Sequence, residues 1–157
     1  LQGNRSHDIV IKGIEILANN VDDRLGVISF YHPEIHFNLF VKLLNDRYGI
    51  QTRGGCACAG TYGHFLLEVS YDQSTEITEK INHGDLSEKP GWVRWSLHHT
   101  VTEEEVRYIL QAIKELTLKH REWIKDYEYI PRKNEFIHRS HLDASLEEGM
   151  MKDWFSL

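Results

Sequence analysis

The chain has 157 residues, of which 41% are hydrophobic and 27% charged, a balance typical of one globular domain with a hydrophobic core. Its formal net charge of −6 argues against a nucleic-acid partner, because phosphate binding needs a basic surface. No apolar run approaches the roughly 18 residues that span a bilayer, so no membrane partner is expected. Two cysteines and no signal-peptide pattern favour a reducing, cytoplasmic location.

The first part of the chain predicts two helices around one strand. Ser6 can cap the first helix, because apolar residues follow it at helical spacing. Pro33 ends a β-branched and aromatic run, and Gly49 stands where helix C-caps favour glycine. The predicted elements are a helix over 6–20, a turn at 21–23, a strand over 24–31, a helix over 36–48 and an extended segment at 50–52.

The second part predicts one further strand, several helices and a hairpin. Period-two alternation places Arg94 on the opposite strand face from Val93 and Trp95. Thr102 and Glu105 have the spacing of a capping box at the start of the longest helix. The predicted elements are helices over 62–70, 74–81 and 103 to about 125, a loop at 85–90, a strand over 92–97, and a hairpin over 127–137 with its turn at 131–134.

Helices on few strands predict an α+β fold, with a small antiparallel or mixed sheet covered by helices. We assign residues 1–137 to a single domain and residues 138–157 to a polar tail that either docks or is flexible. The chain begins at Leu1 and the first predicted helix starts near residue 6, so we expect it to be part of a longer protein.

A glycine-rich loop carries the candidate chemistry. Residues 51–60 (QTRGGCACAG) hold Arg53, both cysteines (Cys56 and Cys58) and three glycines, of which Gly54 and Gly55 shape the loop. With one residue between the two thiols, a disulfide joining them would be strained. Outside this loop, Arg94 is the second candidate binding residue.

Metal binding is one alternative for the loop. Five side chains could supply soft or borderline ligands: Cys56, Cys58, His64, His98 and His99. Structural zinc sites usually have about two to four residues between paired cysteines, which this loop does not. We therefore assign no metal, and place His64 as a residue facing an active site. A free-standing thiol- or metal-binding module and an interaction domain without chemistry remain the rival hypotheses.

Three segments in order carry a resemblance to a known family: 24–30 (RLGVISF), 48–60 (YGIQTRGGCACAG) and 91–105 (GWVRWSLHHTVTEEE). Over residues 5 to about 125, the chain resembles the C-terminal small domain of class V aminotransferases. This pyridoxal-phosphate family includes cysteine desulfurases and selenocysteine lyases. The resemblance implies the fold of that domain, which belongs to fold-type I pyridoxal-phosphate enzymes.

The resemblance also implies roles for three residues. Cys58 matches the desulfurase cysteine that accepts sulfur or selenium as a persulfide, and Arg94 matches the arginine that binds the α-carboxylate of the substrate. Arg53 matches the arginine of the cysteine loop. Ala57 stands where desulfurases have a histidine, and Cys56 is an additional thiol, so transaminase or lyase chemistry stays open.

Finally, the resemblance implies parts that the given sequence does not hold. In this family the lysine that carries pyridoxal phosphate, and the acid that pairs with its pyridine nitrogen, lie in a large N-terminal domain. No lysine here sits in a matching motif. We therefore expect the chain to need that large domain as its partner, to act on a small amino acid, to form a homodimer at full length and to be inactive alone.

Overall fold

The computed structural model describes residues 11–20, 25–56 and 60–141, the side chains of 60–62 and 141 excepted. Its strands and longer helices are β1 (Glu15–Ile16), β2 (Val27–Tyr31), α1 (Phe37–Tyr48), β3 (Arg53–Gly54), α2 (Gly60–Leu66), α3 (Tyr71–Asn82), β4 (Val93–Ser96), α4 (Glu103–Trp123), β5 (Tyr127–Ile130) and β6 (Glu135–His138). Two 3₁₀ turns, Ile124–Asp126 and Arg139–His141, follow α4 and β6. None of the described helices is long and apolar enough to cross a membrane.

Four strands form one antiparallel sheet in the order β1-β2-β4-β3, and β5 and β6 form a separate hairpin. The predicted α+β class is therefore confirmed, with an antiparallel sheet. In the central pair, Ile28 lies opposite Trp95 and Ser29 opposite Arg94. The two edge strands, β1 and β3, are only two residues long.

The hydrophobic core lies on one face of this sheet, hereafter the inner face. Phe30, Val93 and Trp95 point inward and are nearly inaccessible to solvent. They share one apolar cluster with the buried residues of α1 and α4, which are Phe37, Leu39, Phe40, Leu43, Leu44, Ala112, Ile113 and Leu116. Side chains alternate along a strand, so the opposite face, hereafter the outer face, receives Ser29, Arg94 and Ser96.

Several predicted helix boundaries are confirmed because local hydrogen bonds fix them. The Asn38 N–H donates to Nδ1 of His36 at the start of α1, and Gly49 ends that helix in the left-handed conformation at φ 66°. In α4, Glu105 N–H donates to Thr102 Oγ1 at 3.2 Å and Thr102 N–H donates to the Glu105 carboxylate at 2.7 Å. The strands over 24–31 and 92–97 and the hairpin over 127–137 are also confirmed in their described parts.

The first predicted helix is wrong over the residues that the structure describes. Gly13 and Ala18 have φ values of 86° and 53°, which a right-handed helix excludes. The segment instead forms β1, and Leu17 N–H donates to the Ser29 carbonyl at 2.9 Å. Pairing with β2 thus overrides the helical spacing of the apolar residues. The beginning of this predicted helix (residues 6–10) and the predicted turn at 21–23 lie outside the described residues.

The start of the polar helix also needs correction. Helix α3 begins at Tyr71, before the predicted cap Ser74. Ser70 is the true cap, because its hydroxyl accepts the Gln73 N–H and the Gln73 side chain accepts the Ser70 N–H. The assignment of 138–157 as a tail falls mostly on residues 142–157, which lie outside the described residues.

Candidate functional site

The two candidate arginines are direct neighbours on adjacent strands. Strand β3 pairs with β4 so that Arg53 lies opposite Arg94 and Gly54 lies opposite Val93. Directly opposed residues of an antiparallel pair place their side chains on the same face of the sheet. The sheet register therefore brings together two residues that are far apart in the chain.

The inner-face contacts of their neighbours show that both arginines belong to the outer face. Val93 and Trp95 are buried in the core on either side of Arg94. A Cβ placed on Gly54 would lie 2.7 Å from Oδ1 of Asn38 and 3.0 Å from the Phe37 ring, so this residue faces α1. Arg53, one residue earlier, faces away from α1. Arg53 is exposed and Arg94 half-buried.

Gly55 turns the chain at the end of β3. Its φ of 107° lies in the region that glycine adopts at low cost, and its N–H donates to the Trp92 carbonyl at 3.0 Å. This bond keeps the loop beside β4 for one more residue. In this Arg-Gly-Gly sequence, Arg53 faces outward, Gly54 packs closely against α1, and Gly55 turns the chain.

Cys56 packs in a small apolar group of its own, hereafter the Cys56 cluster. The cluster contains the buried residues Leu17, Cys56 and Trp92, with Tyr31, Leu66 and Leu67 against them. Gly63 of α2 permits this packing, because a Cβ there would lie 3.1 Å from Cβ of Cys56 and 3.3 Å from the Trp92 ring. The thiol of Cys56 is buried and free of disulfide bonding. Its surroundings are those of a packing residue.

His64 contacts α3. Its Nδ1 lies 2.6 Å from the hydroxyl of Ser74, which fastens α2 to α3, and the side chain is half-buried. Within the described part of the chain, no hydrogen bond joins His64 to either candidate arginine or to Cys56. The prediction that His64 faces an active site stays a prediction.

Two other predicted positions need separate statements. Cys58 lies in residues 57–59, outside the described residues, so its role stays a prediction. His98 and His99 follow β4 with ring centroids 4.0 Å apart, and His98 Nδ1 lies 2.8 Å from the Thr100 hydroxyl. Among the described residues, no three His, Cys, Asp or Glu side chains are grouped as metal ligands.

The charge around the two arginines is unbalanced. Over residues 11–20, 25–56 and 60–141, neither Arg53 nor Arg94 forms an ion pair or a side-chain hydrogen bond. Strands β2, β3 and β4 contain no Asp, Glu or Lys. Ser29 flanks Arg94 on the other side and adds only a hydroxyl. Two arginines opposite each other on strands that carry no acid form a site that can bind carboxylate or phosphate oxygens.

A groove that no sequence pattern predicted lies at one end of the sheet. Its lining is formed by residues 31–37, residues 87–91 and Leu67, and its volume is about 410 Å³. His32 and His36 lie in this lining, and burial lowers the pKa of both imidazoles. Because separate loops form the groove, only their tertiary contacts could have revealed it.

A comparison with protein families matches the part of the chain that contains both arginines. The model of the family described as Aminotransferase class-V matches residues 9–109, well over half of the chain. The chain belongs to the class V aminotransferase family. The matched stretch contains the four-stranded sheet, α1 and both outer-face arginines. A search of curated proteins gives no match.

Class V aminotransferases are generally pyridoxal-phosphate enzymes, so the outer face can be compared with the needs of that cofactor. Its attachment requires a lysine, and its pyridine nitrogen requires an acidic partner. The strands that carry Arg53 and Arg94 supply neither. This face therefore fits the anionic groups of a ligand and does not fit the attachment of the cofactor.

Proposed function

We propose that the chain is the small domain of a pyridoxal-phosphate-dependent enzyme that acts on a small amino acid. Its task in that enzyme is to bind the carboxylate of the substrate at the outer face of the sheet. The observation that carries this proposal is the register that sets Arg53 against Arg94 without an acidic partner in the described residues.

Arg94 is the proposed carboxylate-binding residue. Its backbone is held in the middle of the sheet, between β2 and β3, and the adjacent Val93 and Trp95 are anchored in the core. Because its side chain is half-buried, the guanidinium is partly shielded from water and less free to move. A planar guanidinium binds a carboxylate through two parallel N–H···O bonds, which orients the rest of the amino acid.

For the loop we propose that Cys58 receives sulfur or selenium from the substrate as a persulfide. Cys56 is buried in the Cys56 cluster, so its thiol serves packing rather than reaction. Arg53 lies in the same loop, five residues before Cys58, and its positive charge favours the thiolate form of a nearby thiol. If both cysteines only shape the loop, the enzyme is instead a transaminase or lyase.

The remaining machinery belongs to a large domain that we propose precedes this one. That domain would attach the cofactor, which supplies the electron withdrawal that labilises bonds at the α-carbon of the amino acid. The assembled enzyme would be a cytoplasmic homodimer. The 157-residue chain would have no activity by itself.

The test uses the enzyme encoded by the intact reading frame. Removing a charged hydrogen-bond partner costs about 1.5–3 kcal/mol, so Arg94→Gln should raise KM for the amino acid about 10- to 150-fold. Cys58→Ala should abolish release of sulfur from cysteine, while Cys56→Ala should retain it. An unchanged KM in the Arg94 variant would refute carboxylate binding, and unchanged sulfur release in the Cys58 variant would refute its role as acceptor.

A further inference from the structure

The pairing of the two arginines points to a particular class of substrate. We propose that the substrate is a dicarboxylic amino acid, with its α-carboxylate on Arg94 and its side-chain carboxylate on Arg53. This inference rests on the proposed carboxylate site at Arg94 and on the transaminase or lyase form of the proposed enzyme, because a dicarboxylic amino acid such as aspartate has no sulfur for Cys58 to accept.

Placing two like charges next to each other costs free energy. Residues directly opposite each other in an antiparallel pair have Cβ atoms about 4.5–5.5 Å apart, and like charges at such positions destabilise the sheet. The register fixes Arg53 and Arg94 in that relation. No described residue offsets it with a carboxylate. An anion bound between the two guanidinium groups would do so.

Most of the other described arginines form ion pairs. Four described arginines form ion pairs with Asp or Glu: Arg47, Arg107, Arg121 and Arg139. Of the described arginines, only Arg53, Arg94 and Arg132 do not, and the first two are neighbours. In a chain with 24 acidic and 18 basic residues, an unpaired arginine has many potential partners. Strands β2, β3 and β4, which surround the two arginines, carry none of these acids.

One carboxylate does not neutralise the charges of both arginines. A carboxylate that binds Arg94 through both oxygens neutralises one positive charge and leaves the other. Within the described residues, Arg53 also donates no hydrogen bond to a backbone carbonyl, so a structural role as a loop brace has no contact to support it. The exposed Arg53 is left to bind a second acidic group of the same ligand.

The experiment measures binding to the 157-residue chain without the cofactor. Succinate and butyrate have the same number of carbons and differ by one carboxylate in place of a methyl group. Each is titrated while backbone amide signals of β3 and β4 are followed by NMR. One added charge pair at about 4 Å contributes about 1 kcal/mol in water, so succinate should bind at least about fivefold more tightly.

Three variants assign that difference to the arginines. Arg53→Gln should weaken succinate binding to the level of butyrate and leave butyrate binding unchanged. Arg94→Gln should weaken both acids. Arg132→Gln removes a charge from an exposed residue of the β5–β6 turn and should change neither. Arg53→Lys, which keeps the charge, should retain most of the preference for succinate and shows that the Gln variant does not act through misfolding.

The outcomes separate this inference from the function it rests on. Equal affinity for succinate and butyrate, with both lost in Arg94→Gln, would overturn the dicarboxylate inference and leave the proposed carboxylate site intact. Binding that Arg94→Gln does not weaken would overturn the proposed function itself. If neither acid binds measurably, this inference is overturned, and the KM of the full-length Arg94→Gln enzyme decides the proposed function separately.

Discussion

Gly54 offers the sharpest test of how the outer face is built. In Gly54→Ala, the added Cβ would lie 2.7 Å from Oδ1 of Asn38, 3.0 Å from the Phe37 ring and 3.2 Å from a methyl group of Val41. Asn38 cannot move freely, since its side-chain amide donates a hydrogen bond to the Asn134 carbonyl in the β5–β6 turn. Either α1 or β3 must therefore shift.

Such overpacking typically costs about 1–3 kcal/mol, which lowers Tm by about 2–4 °C per kcal/mol in a chain of this size. Urea unfolding followed by tryptophan fluorescence would measure the loss. Because Arg53 precedes Gly54, a shift of β3 should also reduce the preference for succinate over butyrate. The steric and electrostatic consequences of one methyl group are thus both measurable.

Gly84→Ala is the matched control. Gly84 has a φ of 82° and nothing within 4 Å of an added Cβ, so its substitution tests backbone strain alone. That strain should cost about 1–2 kcal/mol without changing ligand preference. If Gly54→Ala were as stable as the unchanged chain, β3 would not lie against α1, and the placement of Arg53 on the outer face would be refuted.

Three further predictions concern the buried or partly buried side chains of Cys56, His36 and Tyr127. Cys56→Ser should destabilise the chain more than Cys56→Ala, by about 1–3 kcal/mol, because it buries a hydroxyl among apolar groups; equal losses in urea unfolding would contradict this. Burial lowers the pKa of His36 below 6.5, so its contribution to stability is present above pH 6.5 and declines as the pH falls toward the folded-state pKa; His36→Asn, which keeps a capping oxygen, should reduce that decline. Tyr127 donates a hydrogen bond to Asp46 at 3.0 Å, and burial raises its pKa to about 12, so stability should fall between pH 10 and 12, and less steeply in Tyr127→Phe.

The helix boundaries that sequence alone predicted correctly are those with local causes. The cap and box residues of α4 hydrogen-bond to each other, and Gly49 ends α1 through its own backbone conformation. The first helix failed because β1 exists only through its pairing with β2, which periodicity within the segment does not encode. In a short segment, helical spacing of apolar residues cannot distinguish a helix from a strand that forms by pairing.

The candidate site also has one part that local pattern predicted and one part that depends on distant contacts. Alternation along β4 predicted that Arg94 faces away from Val93 and Trp95, and this is confirmed. The partner across the strand, Arg53, depends on sheet register, which is set by contacts between distant segments. Only the family resemblance suggested that these two residues act together, and no spacing in the sequence indicated that they are direct neighbours.

Packing on the two faces of the sheet explains several residues of the glycine loop, independently of any catalytic role. Arg53 must point outward because Gly54 is packed against α1, and Gly55 must turn because the next residue, Cys56, is buried among apolar side chains. Three consecutive residues are thus fixed by packing before any reaction is considered. Since packing accounts for Gly54 and Cys56, the side chain that packing leaves free for a ligand in the described part of this loop is that of Arg53, which lies opposite Arg94.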